Sequence, residues 1–175
     1  PQEGAGTGGQ GGMGHGAGHG AQGAGPVCSP TWAQPGADGS FVYVACNRGG
    51  YVLEVDTRSW TVARRFETGQ APYNLAATPD GRLLLVTLKT RTAPATEVID
   101  LQSGRSLARV PASGVLPHGV AVTPDSRYAF VSAEGVGAEP GKVDVIDLRS
   151  LERVASAAVG QQAGGIAVAP GGRGR

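Results

Sequence analysis

The chain repeats one short pattern at nearly equal spacing, and this repeat limits the possible folds most. Each repeat carries an aspartate, a glycine and a proline in the same order: Asp56, Gly69 and Pro79; Asp100, Gly114 and Pro124; Asp147, Gly160 and Pro170. Successive members of each set lie 44 to 47 residues apart. A period of about 40–50 residues built from short strands is typical of β-propeller blades. A β-sandwich is the alternative architecture, but it does not require equal repeats.

Within each repeat, short apolar runs alternate with turn residues. The runs LAAT, VAVT and IAVA are followed by PDG, PDS or PGG, and then by longer apolar strands such as RLLLVTL. Proline, aspartate and glycine favour turns, and no apolar period of 3.6 residues indicates a helix. After a first strand in SPTWAQ, the predicted strands are 41–46, 50–56, 61–67, 74–78, 83–88, 96–101, 106–110, 119–123, 127–132, 142–148, 152–159 and 165–169. We expect consecutive strands to pair antiparallel in sheets of four.

The repeat resembles a known family. Its motif is a Gly-x-x-Pro loop, a strand, TPDG, a strand reading like YVYV, and VIDL. Here it reads GQAPYNLAATPDGRLLLVTL and GVLPHGVAVTPDSRYAFVSA, followed by EVIDL and DVIDL. Over about residues 30–170 the chain is similar to the YVTN β-propeller repeats, in the superfamily of cytochrome cd-type nitrite reductase propellers. This resemblance implies a periplasmic or extracellular prokaryotic propeller, but no single activity.

The composition changes sharply after residue 27. Residues 1–27 are nearly half glycine with little to bury, so we expect a disordered tail or linker. Residues 28–175 form the predicted partial propeller, which has about three and a quarter blades. The predicted blades are 30–67, 73–111 and 118–159, with 165–169 as the first strand of a fourth. Closed propellers have about 4–8 blades. We therefore expect a fragment of a longer protein whose remaining sequence supplies the other blades; two copies completing one ring are an alternative.

Charge and hydropathy narrow the expected partners. The chain has 15 basic and 14 acidic residues, a net charge of +1, and no basic stripe. Nucleic acid is therefore not an expected partner. No stretch of 18 apolar residues predicts a membrane span. The expected partner is a protein or a small-molecule ligand at the central channel face of the propeller.

His118 is the first candidate site residue. It begins the innermost strand of the second predicted blade, and its repeat equivalents are Tyr73 and Gly164. We expect Tyr73, Asn74 and His118 at the mouth of the channel. An imidazole there can ligate a metal or haem iron, as a propeller histidine does in the haem-containing nitrite reductases that the repeat resembles. Pro-His-Gly also belongs to the repeat motif, so a generic channel-mouth residue is the simpler interpretation.

Two further sets of residues offer groups that can bind metal ions or form a carboxylate cluster, and each set also has a simpler structural interpretation. Met13, His15 and His19 offer a thioether and two imidazoles that suit copper or nickel, but they stand in the glycine-rich tail. The three repeated aspartates could be taken for a carboxylate cluster. Because each follows a strand directly, turn capping is the favoured role.

The two cysteines predict a disulfide. Cys28 and Cys46 flank a turn centred near residue 37, which places them opposite each other in an antiparallel hairpin. Free thiols, with Cys46 as a small buried side chain, are the alternative. A disulfide is typical of an oxidising compartment.

The favoured function is a binding or scaffolding module, since no catalytic machinery is evident in the sequence. One alternative is a redox or cofactor-bearing propeller with His118 as a haem or metal ligand, although the sequence requires no cofactor. A second is a metal-dependent lactonase-like hydrolase. Such propellers hold a central metal with Asp, Glu and Asn side chains from inner strands, where this chain offers Asn74.

Overall fold

A computed structural model describes residues 27–169, and this part of the chain consists of strands and connecting turns. The strands are β1 (Pro30–Pro35), β2 (Phe41–Cys46), β3 (Tyr51–Asp56), β4 (Val62–Glu67), β5 (Pro72–Ala77), β6 (Leu83–Leu88), β7 (Ala95–Asp100), β8 (Ser106–Pro111), β9 (Pro117–Val122), β10 (Tyr128–Ala133), β11 (Gly141–Asp147) and β12 (Glu152–Val159). Within residues 27–169 no helix is long and apolar enough to cross a membrane.

The strands form three antiparallel sheets of four, and each strand pairs with the next along the chain. The sheets are β1–β4, β5–β8 and β9–β12, which we call blades one, two and three. The predicted all-β fold with four-stranded antiparallel blades is confirmed. Through residue 159, every predicted strand is present with bounds within two residues of the prediction.

The predicted strand at 165–169 is wrong. The segment lies against β9, where an added Cβ on Gly119 would come within 2.8 Å of the Gly164 carbonyl oxygen and 3.1 Å of Ile166 Cγ2. It therefore occupies the side of blade three on which an inner strand of a next blade belongs. A strand requires a ladder of hydrogen bonds to a neighbour, and within the described residues this segment has none.

The blades pack face to face through two apolar clusters. One cluster lies between blades one and two and includes Val52, Phe66 and Leu84. The other lies between blades two and three and includes Leu85 and Val131. Blade two is covered on both faces, so every residue of β6 is buried, which explains why LLLVTL reads as a continuous apolar run.

Repeated aspartates close the turn after the third strand of each blade. Asp56 Oδ1 accepts hydrogen bonds from the backbone N–H groups of Arg58 and Ser59 at 2.9 and 2.8 Å. Asp100 accepts from the Ser103 N–H at 2.6 Å, and Asp147 accepts from a backbone N–H two residues later at 2.9 Å. The predicted capping role is confirmed.

The predicted disulfide is also present. Cys28 and Cys46 are bonded with their Cα atoms 4.4 Å apart, and the bridge ties the residues before β1 to the end of β2. Cys46 is fully buried. The predicted register is wrong, because β1 pairs Pro30 and not Cys28 with Cys46, and Cys28 bonds to Cys46 from just before the strand. A disulfide of this kind indicates that the protein folds in an oxidising compartment.

Candidate functional site

The first strands of the three blades lie side by side and form one surface of the molecule. β1 contacts β5, β5 contacts β9, and the extended segment 164–168 continues the row. Together they line a groove of about 350 Å³, which we call the inner groove. This volume falls within the range of about 300–1,000 Å³ typical of small-molecule sites. Its lining comprises Trp32, Gln34, Asn74, Ala76, Ala77, Pro79, His118, Gly119, Val120, Ala121, Val122, Gly164, Gly165, Ile166, Ala167 and Val168.

A sharp backbone turn precedes each inner strand. Ala71 and Leu116 have φ values of 54° and 52°, in the left-handed region that non-glycine residues seldom adopt. Each stands directly before a strand-opening proline, Pro72 or Pro117. These turns direct the chain into the inner strands and so set the positions of the residues that follow each proline, Tyr73 and His118.

Hydroxyl side chains join each blade to the next at the groove. Thr87, on β6, accepts a hydrogen bond from the Asn74 N–H at 3.0 Å, and its hydroxyl lies 3.1 Å from the His118 carbonyl oxygen. Ser132, the equivalent residue of blade three, accepts from the Gly119 N–H and donates to the Gly164 carbonyl oxygen at 2.9 Å. These bonds hold the groove-lining strands in register across blade boundaries.

Asn74 presents its side-chain amide to the inner groove. The residue is only 5% exposed, and among residues 27–169 its side chain has no hydrogen-bond partner, although its backbone N–H is bonded to Thr87. Among the described residues, the buried side-chain polar atom without a partner is His118 Nδ1 and not an Asn74 amide atom, so the Asn74 amide still meets solvent in the groove. Such a group indicates a position where water or a ligand completes the hydrogen bonds.

His118 lines the groove and also belongs to a compact cluster of side chains. Its ring meets the Tyr73 ring edge-on with centroids 4.7 Å apart. Lys89 Nζ lies 4.1 Å from the centre of the Tyr73 ring and donates a hydrogen bond to Glu134 Oε1 at 2.8 Å. His118 Nε2 is 3.5 Å from the same carboxylate oxygen. The predicted channel-mouth residues are thus brought together, while their role in binding a ligand stays a prediction.

The surroundings favour the neutral form of His118. Burial lowers the pKa of the imidazole below its ordinary value, and the nearby Lys89 charge lowers it further, whereas Glu134 opposes both effects. Nδ1 is buried and has no hydrogen-bond partner among the described residues. At neutral pH the groove therefore contains an uncharged ring.

Among the described residues, this geometry does not bring a set of metal or haem ligands together around His118. Across residues 27–169, no group of three His, Cys, Asp or Glu side chains is placed to hold a metal ion. His118 Nε2 lies 3.5 Å from Glu134 Oε1, and Nδ1 is buried without a partner among the described residues. Of the side chains that a lactonase-like metal site uses, Asn74 is the one that the described residues contribute to the groove lining. Met13, His15 and His19 lie outside the described residues.

Sequence reasoning missed four residues of this region. Trp32 and Gln34 line the groove because alternate residues of β1 point to the same face. Period-two alternation in TWAQ could have identified this pair. Lys89 and Glu134 follow the second strands of blades two and three, 45 residues apart. Their equivalent positions are visible in the repeat, but nothing in it shows that the two side chains meet.

Two equivalent buried acidic residues of blades two and three were also missed. Glu97 and Asp144 occupy the same place in EVID and DVID, and they are 0% and 3% exposed. Glu97 accepts a hydrogen bond from the Gly69 N–H at 2.7 Å, and Asp144 accepts one from the Ser113 N–H at 2.8 Å. Each carboxylate thus fastens the loop that leads into its own blade. The acidic residue three positions before the capping aspartates of blades two and three was the available signal.

Similarity to known proteins is found at the level of the fold. No family model matches the chain, and no curated protein matches it either. Among solved structures, 794 chains match, including the hydrazine synthase of Kuenenia stuttgartiensis. That match has a TM-score of 0.71 and 26% sequence identity over 86% of this chain. The present chain spans only 40% of the length of that protein, so the two share an arrangement of blades over part of the larger chain.

Proposed function

We propose that this chain is a segment of an extracytoplasmic β-propeller of the YVTN type, which acts as a binding module through its inner groove. The observation that carries the proposal is the Asn74 side chain, which lines the groove, makes no hydrogen bond within the described residues and keeps its amide open to a ligand there. Binding energy at such a position comes from completing hydrogen bonds that the folded protein leaves open.

The proposed location rests on two supports. The Cys28–Cys46 disulfide requires an oxidising compartment to persist. The motifs GQAPYNLAATPDG and GVLPHGVAVTPDS resemble the YVTN repeats, a resemblance that implies a periplasmic or extracellular prokaryotic propeller. We therefore place the protein in the periplasm or outside the cell. Expression with and without export, followed by thiol titration, tests this location: the bridged form should accumulate only after export.

The groove is tested by thermal unfolding in the presence of ligands from separate chemical classes. The panel contains neutral sugars, uncharged peptides, small anions, divalent metals and haem. A ligand that binds the folded state raises the unfolding temperature. At least one class should do so for the wild type and lose its effect in Asn74→Ala, whereas Gln102→Ala, an amide on an exposed turn, should behave as the wild type. No stabilising class, or stabilisation that Asn74→Ala leaves intact, contradicts the proposal.

A second experiment distinguishes this proposal from the cofactor-bearing alternative. A haem or metal protein should show a visible absorption band, or a bound metal by elemental analysis, when it is isolated from its native host. If His118→Ala abolishes that signal, the ligand role of His118 replaces the present proposal. If the isolated protein carries neither, the proposal of a groove for a non-redox ligand is supported.

A further inference from the structure

The inner groove is lined without formal charge at neutral pH. Among residues 27–169, Asp, Glu, Lys and Arg do not contribute to its lining, and His118 is the one ionisable side chain there. Lys89 and Glu134 lie next to His118 but pair with each other, so a charged ligand would lose hydration on entering and find no free counter-charge in this described lining. The groove therefore favours an uncharged ligand.

The polar groups of the groove are carboxamides. Gln34 and Asn74 stand on the neighbouring strands β1 and β5, and neither side chain has a hydrogen-bond partner among the described residues. A carboxamide donates through its NH₂ group and accepts through its oxygen. A hydroxyl group does both as well, so a ligand rich in hydroxyl groups can satisfy both amides without carrying charge.

The groove also contains an exposed aromatic ring. Trp32 is 43% exposed although it lines the groove, and it stands two residues from Gln34 on the same face of β1. Tryptophan combines a large apolar surface with one polar N–H group. Small side chains such as Ala76, Ala121 and Ala167 leave room beside it. The lining thus offers apolar surface and amides together.

We propose that the inner groove binds a neutral saccharide. A sugar ring has one face of C–H groups, which covers the Trp32 indole, and a rim of hydroxyl groups, which bond to Gln34 and Asn74. This inference rests on the proposed function, because it names the class of ligand for the same groove. Trp32 sets the preference for a ring, and the two amides set the preference for hydroxyl groups over charged groups.

Tryptophan fluorescence gives a direct test. The chain contains two tryptophans, so Trp60→Phe leaves Trp32 as the single reporter. The probes are maltose, cellobiose and N,N′-diacetylchitobiose, with a digalacturonate as the charged counterpart and an uncharged tetrapeptide amide as the peptide counterpart. At least one neutral disaccharide should change the emission with a dissociation constant below about 1 mM, and the charged sugar should bind at least tenfold more weakly.

Calorimetric titrations of variants complete the test. Trp32→Ala and Asn74→Ala should each weaken binding of that disaccharide at least tenfold. Trp60→Ala is the matched control, because Trp60 is 73% exposed on a turn that does not line the groove, and it should bind as the wild type. Circular dichroism of each variant confirms that it is folded.

The possible failures are distinguishable. If the peptide or the digalacturonate binds instead, with an effect that Asn74→Ala removes, the saccharide inference is overturned while the groove remains a ligand site. If a disaccharide binds equally well to Trp32→Ala, the site lies elsewhere and the inference is also overturned. If no class of ligand in either experiment binds at the groove, both the inference and the proposed function fail.

Discussion

Opening the Cys28–Cys46 bridge should destabilise blade one measurably. The bridge joins residues 18 apart in sequence, and the chain-entropy relation assigns roughly 3 kcal/mol to a closed loop of that size. β1 depends on this constraint more than other strands do. Most of its residues are exposed, so little apolar burial holds it against β2. Apart from its ladder to β2, β1 is held by a hydrogen bond that the Thr31 hydroxyl donates to the Tyr73 carbonyl oxygen at 2.7 Å.

Two perturbations separate the contribution of the bridge from that of the sulfur atoms. Reduction of the wild type opens the loop and leaves both side chains in place, so it should cost about 3 kcal/mol. The double variant Cys28→Ala, Cys46→Ala should cost about 1 kcal/mol more, because Cys46 is fully buried and its removal leaves a small cavity. For a chain of this size, 3 kcal/mol corresponds to a fall of roughly 6–12 °C in the unfolding temperature.

The assay is thermal unfolding monitored by circular dichroism, with and without reductant. Thiol titration should find two reactive groups per chain only after reduction, and the double variant should be insensitive to reductant. Hydrogen exchange should show β1 amides losing protection before those of β6, which is buried on both faces. The reasoning is refuted if complete reduction shifts the unfolding temperature by less than about 2 °C, or if β1 and β6 lose protection together.

Three further predictions concern the contacts between blades and the groove. Glu97→Ala should lower the free energy of unfolding in urea by about 2–4 kcal/mol, because it leaves the Gly69 N–H without its buried acceptor; an unchanged urea midpoint would contradict this. Thr87→Val should cost about 1–3 kcal/mol in the same assay, since the Asn74 N–H loses its partner, and a neutral result would show that the hydroxyl does not join the blades. The His118 pKa is lowered in the fold, so the unfolded chain binds more protons below pH ~6.5. Stability should therefore rise with pH from the folded pKa up to about 6.5 and then level off. His118→Gln should flatten this part of the profile; a wild-type slope in that variant would assign the effect to another group.

Much of the blade architecture follows from short-range features of the sequence. The turn residues PDG and PDS, together with the apolar runs around them, set where each strand begins and ends. The capping aspartates act on N–H groups two or three residues away, and the disulfide joins the two sides of a single hairpin, although the observed register pairs Pro30 with Cys46. Such contacts are predictable because the partners lie close in sequence and the backbone geometry of hairpins is restricted.

The candidate site was only partly predictable. The repeat makes Tyr73 and His118 equivalent positions, and the structure brings their rings into contact; Asn74, the residue after Tyr73, lines the groove with His118, while a channel-mouth role for the three residues stays a prediction. The ion pair between Lys89 and Glu134, which joins blades two and three, could not be predicted, because equivalence in a repeat does not reveal which side chains meet across blades.

The sequence by itself determined the period of the blades, the bounds of most strands, the turn caps and the disulfide. Only the tertiary structure decided that Trp32, Gln34 and Asn74 share one groove, and that segment 164–168 lies against β9 without joining a ladder. The physical reason is the range of the interactions. Turns and hairpin ladders act over a few residues, whereas the groove depends on the packing of whole blades, on left-handed turns before inner strands, and on hydroxyl bonds such as that from Thr87 to the His118 carbonyl, 31 residues away.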